Sequence, residues 1–331
     1  MLHLNDTRYN EVKLIFEEEG HKYHDNLGNE YLSTTTLLHE YVPKFQRDYW
    51  LKKKAKELHI SVKQLEKQWQ DITDEACTRG TKTHNALEDA IKINSLFKDA
   101  VRFLRRDSGE MITIADIPDI NLNIKELDVE AFKEITENKY DKIYKVFDYY
   151  KNAGYKIYSE IGAFLIDYLV SGTIDVLCIR DDQFVIGDWK TNRGGLKFES
   201  GYYKKDKSTK PSQLTDVWVS KDERLLAPLN HLQNCNGNIY NLQLSLYAYY
   251  VEYVLGIPCA GLWLCHIDHD FVLNEYGQPK RFPDGLYRIK DNPVEKVTLH
   301  RMPYFKKEVN NILADRKRII SANINKQRSL F

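Results

Sequence analysis

At residue 155 the helical hydrophobic period gives way to strand-like runs that continue to residue 190, and this stretch limits the folds open to the chain. Three strand-like runs, 155–165, 169–179 and 183–190, succeed one another. Only Arg180, Asp181 and Asp182 separate the last two runs. That is too short for a crossover, so an antiparallel hairpin is expected there. Helices are expected on both sides. One covers 129–153, with Gly154 as its C-terminal cap; the other covers 240–255 and is stopped by Gly256, Ile257 and Pro258. A buried strand over 260–267 completes the order helix, three strands, helix, strand. This order predicts an α/β core, with a mixed central sheet flanked by helices.

Upstream, residues 12–23 read as a hairpin that turns at Glu19 and Gly20. A second turn at Asn26 to Asn29 leads to a short strand at Tyr31 and Leu32. Ser33 and Thr34 can then cap a short helix that ends before Pro43. Residues 46–94 read as mostly helical, with Ser61 capping one helix over 62–70 and a longer one over 76–91. Residues 108–123 read as irregular, and 192–239 as a polar, lysine-rich loop. A single domain is expected, with four regions: an N-terminal hairpin region (1–45), a helical region (46–128), the α/β core (129–270) with an insertion at 196–239, and C-terminal strands and a helix (271–331).

Composition excludes more than it assigns. Lys plus Arg and Asp plus Glu both number 48, so net charge gives no sign of a polyanionic partner, and any such site must be a local patch. The five cysteines contain no CxxC pair. They leave a structural zinc site or four-cysteine iron–sulfur cluster without obvious ligands and are expected to be reduced thiols. No apolar run approaches the roughly 18 residues of a membrane helix. The first residues, Met1 to Asp6, lack a basic-then-apolar leader pattern, so a cytoplasmic location is expected.

The residues that carry chemistry lie on the hairpin. Asp175 follows Gly172, Thr173 and Ile174; Asp188 and Lys190 follow Gly187. Two aspartates held on neighbouring strands suit a hard divalent cation, which takes oxygen ligands and waters. Asp188 and Lys190 are two apart on a strand, so they share a face and an ammonium stands beside the carboxylates. The same acidic-x-Lys spacing recurs at Glu11/Lys13, Glu137/Lys139 and Asp315/Lys317, but there no aspartate precedes it on a partner strand.

The run from Gly172 to Thr191 resembles the core of the PD-(D/E)XK nucleases, in their RecB-like and phage exonuclease branch. Two flanking segments add to the likeness. Gly80 and His84 resemble the family's helical GxxxH segment, and Gln243 and Tyr247 its QxxxY helix. The resemblance spans about residues 12 to 270. It implies a restriction-endonuclease-like core in which Asp175, Asp188 and Lys190 are catalytic. His84, Glu160, Asp175 and Asp188 would hold one or two Mg²⁺ or Mn²⁺ ions, with Glu160 also serving catalysis. Gly80, Thr191, Arg193, Gln243 and Tyr247 would meet the substrate. No iron–sulfur cluster is expected. DNA is the implied partner, with a homo-oligomer or a recombination or replication protein as a further one. The implied reaction is phosphodiester hydrolysis, as an exonuclease in recombination, repair or end processing. A non-catalytic DNA-binding or scaffold protein with the same fold, or a nuclease acting on RNA, remains open at this point.

In the insertion, Lys197, Lys204, Lys205, Lys207 and Lys210 alternate with Phe198, Tyr202 and Tyr203. Basic side chains beside aromatic ones suit the phosphates and bases of nucleic acid. This segment is therefore expected to contact DNA and to order on binding it. Arg105 and Arg106 form a weaker candidate patch.

Overall fold

The computed structural model describes residues 2–17, 19–92, 109–117 and 127–328. Its strands are β1 (Leu14–Glu17), β2 (Lys22–Asp25), β3 (Glu30–Ser33), β4 (Lys156–Leu165), β5 (Val170–Arg180), β6 (Gln183–Lys190), β7 (Gly201–Asp206), β8 (Gln213–Ser220), β9 (Cys259–Asp268) and β10 (Lys296–Met302). Its α-helices are α1 (Thr34–His39), α2 (Arg47–Leu58), α3 (Val62–Lys92), α4 (Val129–Ile135), α5 (Asp141–Asn152), α6 (Asn236–Leu255) and α7 (Lys306–Arg328). The pair Arg105 and Arg106, and portions of the 108–123 stretch, lie outside the described residues.

The protein is α/β, with a mixed and mostly antiparallel central sheet. The expected hairpin forms: β5 and β6 pair antiparallel from Val176–Gly187 to Arg180–Gln183. β4 runs antiparallel along one edge of β5, from Lys156–Ile179 to Leu165–Val170 with one pair missing between. The other edge is shared. β6 takes its C-terminal half, and β3 joins in parallel at Val170 and Ser171, bringing the β1–β2–β3 meander into the sheet. On the far side β6 pairs in parallel with β9 from Phe184 to Lys190, and β9 pairs antiparallel with β10.

Alternation along β6 sorts its residues between two cores. Phe184 and Ile186 join one cluster, with Leu242, Leu246 and Val251 of α6 and Ile312 of α7. Val185 and Trp189 join another, with Phe132 of α4, Phe147 of α5 and Leu87 of α3. Each face of the sheet thus has its own helical cover.

Three expectations need correction. Residues 62–92 are one helix, not two. Ser61 and Gln64 form a reciprocal capping box at its start (3.1 and 2.9 Å), and no proline interrupts the helix after it. Residues 129–153 are two helices, not one: Glu137 and Asn138 take left-handed φ values of 53° and 57° and end the first. Asn visits that region readily, and the break lets the Thr136 hydroxyl meet the Tyr144 hydroxyl at 2.7 Å. The lysine-rich insertion is no loop, because β7 and β8 pair within it as a two-stranded sheet. The C-terminal region contributes one strand to the central sheet, β10, together with isolated bridges and α7.

Packing on the second face depends on Gly187. The Trp263 indole lies over this position, and a methyl group there would overlap the ring. Gly187→Ala is therefore expected to cost about 2 kcal/mol or more through overpacking. Urea unfolding is the check, and a loss of less than about 0.5 kcal/mol would contradict the packing account.

Candidate active site

The β5–β6 ladder stops at Val176–Gly187, while β6 stays paired with β9 as far as Lys190–His266. On this edge, among the described residues, β5 has no ladder partner from Gly172 to Asp175, until β3 takes over at Ser171. The two strands diverge just before Asp175 and Asp188 would face each other. Asp175 bridges the gap with its side chain, its Oδ2 accepting the Trp189 backbone N–H at 3.0 Å.

The opposite edge is broken at the same step. Ser159 pairs with Val176 and Ile161 with Ile174, but the intervening Glu160–Asp175 pair is missing. Glu160 has a φ of 55°, in the left-handed region. A non-glycine residue held there inside a strand costs on the order of 1–3 kcal/mol, and such strain gathers at functional sites.

A pocket of about 500 Å³ opens over this break. Its floor holds Asp175, Asp188 and Lys190, and Glu160 and His84 stand at its walls. His84 Nδ1 lies 3.6 Å from Asp175 Oδ2. Asp188 is 1% exposed, and neither of its oxygens accepts a well-formed hydrogen bond, although Lys190 Nζ is 2.5 Å from Oδ2. The Lys190 ammonium also lies 4.8 Å from the centre of the Tyr240 ring.

Burial, and then the Asp188 carboxylate, push the Asp175 carboxyl up to about 6; His84 and Lys190 offset some of the rise. For Lys190 the balance is reversed. Burial favours losing the proton, but Asp188 and Asp175 together outweigh it and hold the ammonium above its usual range.

Each wall has a reason in the sequence. Gly80 lets α3 approach the end of β6 closely, since a Cβ there would sit 3.1 Å from the Thr191 hydroxyl. His84 is one helical turn further on, on the same face. Gly172 leaves room for Tyr247: a Cβ would lie 2.6 Å from that ring. Gln243, one turn before Tyr247 on α6, donates its amide N–H to the Tyr247 hydroxyl at 3.1 Å. Burial raises the Tyr247 hydroxyl well above its usual range, so it stays protonated.

Nine of the residues singled out from sequence therefore line one pocket: Gly80, His84, Glu160, Asp175, Asp188, Lys190, Thr191, Gln243 and Tyr247. Arg193, Lys204, Lys205 and Lys207 do not. They line a separate trough, where Arg193 lies 3.5 Å from the centre of the Tyr287 ring. No chemistry was expected of the N-terminal region, yet Phe16, His21, Tyr23 and Ser33 of the meander and Thr34 and Thr35 of α1 line the pocket. Only the run of four hydroxyl residues at Ser33 to Thr36 hinted at this.

Among the described residues, no three His, Cys, Asp or Glu side chains are already gathered around one point. The pocket offers Asp175 and Asp188 with the His84 imidazole alongside, and Glu88 and Glu160 on its lining, rather than a finished cage. That set fits Mg²⁺ or Mn²⁺, since Mg²⁺ keeps several waters and is commonly bound by one or two carboxylates. The buried Oδ1 of Asp188, which no donor meets while Lys190 pairs with Oδ2, is the specific observation in favour, because a buried carboxylate oxygen is costly to leave without a donor or a cation. Neither a family model nor a curated protein matches this chain.

The raised Asp175 group has a thermodynamic consequence. An unfolded chain ionises this carboxyl near the ordinary value of 3.8, and the folded chain near 6. Above pH 6 the ionised carboxylate thus opposes folding. Between 6 and 3.8 that cost is relieved as the folded state takes up the proton. In chelator, Asp175→Asn is expected to be more stable than the wild type at pH 7.5, with the gain shrinking toward pH 4. Urea unfolding at both pH values checks this, and a variant no more stable at pH 7.5 would contradict it.

Proposed function

We propose that this chain is a metal-dependent nuclease that hydrolyses phosphodiester bonds in DNA, with a core of the PD-(D/E)XK type. The observation that carries the reading is the buried Asp188 carboxylate, set beside Asp175 in an open pocket, with Oδ2 paired to Lys190 and Oδ1 left without a partner. A role in recombination, repair or end processing follows from the sequence resemblance.

In this reading Asp175 and Asp188 hold one or two Mg²⁺ or Mn²⁺ ions, with His84 and Glu160 at the edge of the same pocket. A bound divalent cation supplies Lewis acidity toward a phosphoryl oxygen and makes water a better nucleophile at neutral pH. The chain's own residues do the rest. Trp189 fixes Asp175 through its backbone N–H, so one of the two carboxylate oxygens is oriented before any ligand arrives. Lys190 keeps its proton beside the two aspartates. Its role is accordingly electrostatic: it neutralises charge on the phosphate and orients the attacking water rather than accepting a proton. Gly172, Tyr247 and Gln243 shape the wall against which the substrate is placed.

The test is incubation of end-labelled linear DNA and of circular DNA with and without Mn²⁺. Cleavage that requires the metal is expected. Asp188→Asn and Lys190→Ala should each lower the rate on the order of 10³-fold or more, with the thermal transition retained. Near-wild-type turnover by either purified variant would remove the active-site assignment.

A further inference from the structure

Beside the catalytic pocket runs a second concavity, a trough of about 910 Å³. One wall is α2, which presents Trp50, Lys53 and Lys54. The other is the β7–β8 hairpin with the segment leading to it; it presents Lys197, Lys204, Lys205, Lys207 and Lys221. Arg193, Gly194 and Gly195 line the trough as well. Among the described residues, Glu57, already paired with Lys54 at 2.6 Å, is the only carboxylate lining it. In a chain of zero net charge this is a strong local excess of cations.

Aromatic rings stand among the cations. Lys53 lies 5.0 Å from the centre of the Trp50 ring, Lys197 5.0 Å from Tyr203, and Lys221 5.3 Å from Tyr202. Tyr202 is half exposed. Lys205 is drawn below its usual range by burial and then by Arg281 and Lys54, as expected where like charges crowd without an anion.

We propose that this trough binds a single strand of nucleic acid and leads it to the catalytic pocket. The proposal rests on the nuclease reading and deepens it by naming the form of the substrate. Phosphates would draw the lysines off the ring faces, and unstacked bases would take their place, an exchange favoured because base–aromatic stacking is stronger than an exposed cation–π contact. A duplex hides its base faces, so it would leave the exposed Tyr202 ring without a base to stack on. The path is short. Thr191 lines the catalytic pocket and Arg193 lines the trough, two residues on, at most about 7 Å of extended chain.

The experiment is fluorescence anisotropy of labelled oligo(dT), oligo(rU) and a DNA duplex, in chelator so that nothing is cut, over a salt series. Single strands are expected to bind more tightly than the duplex. The triple change Lys53→Gln, Lys204→Gln and Lys207→Gln should weaken binding at least tenfold. It should also make the log–log salt slope shallower by roughly 2, at about 0.7 for each phosphate no longer neutralised. Tyr202→Ala should weaken binding about tenfold at unchanged slope, and Tyr202→Phe should restore it. Loss of affinity for either single strand supports the proposal, and the tighter of the two names the sugar. Unchanged affinity and slope in the triple variant, or a duplex that binds as tightly as single strands, overturns it. A parallel cleavage assay with Mn²⁺ separates the two claims. Trough-dependent binding without any cleavage defeats only the nuclease reading, and cleavage with trough-independent binding defeats only this one.

Discussion

Beyond Val176 and Gly187 the two central strands separate, and much of the candidate site derives from that separation. β6 cannot follow β5, because β9 holds it in parallel register out to Lys190. β5 is claimed at its other end by β3. Between these two attachments Asp175 supplies with its side chain the acceptor that the ladder no longer offers to Trp189. The cost appears nearby, in the left-handed φ of Glu160, in the carboxyl of Asp175 raised to about 6, and in the unpartnered Oδ1 of Asp188. A fold selected for stability alone would have replaced such groups with apolar ones. Their concentration at one opening is what supports a chemical role.

Helix α3 is the second constraint. It spans 31 residues from Ser61's capping box to the far core, where Leu87 packs with Phe132 and Phe147. Its length lets it carry His84 to the sheet from a region remote in sequence, and Gly80 lets it come close enough to matter.

Much of this was legible in the chain itself. The apolar run Phe184, Val185 and Ile186, with a short turn behind it, was enough to set Asp175 and Asp188 on adjacent strands. The i, i+4 spacings of Gly80 with His84 and Gln243 with Tyr247 located two walls. The rest depended on contacts between distant segments. The β3–β5 join involves only two pairs, so beyond the hydroxyl run itself nothing local marks Ser33 to Thr35 as belonging to the pocket. The β7–β8 hairpin has a polar, half-exposed surface with little apolar alternation, so its strands read as loop. Trp50 and Lys53 gain significance only when α2 is set opposite that hairpin.

The central claim is that the gap between β5 and β6 is a cation site built on Asp175 and Asp188. Isothermal titration of the metal-free protein with Mn²⁺ addresses it directly, without requiring a substrate. Wild-type protein should take up one or two ions, and Asp175→Asn and Asp188→Asn should each weaken that uptake by at least about tenfold. Uptake unchanged in both variants, or none in the wild type at millimolar Mn²⁺, would contradict the account.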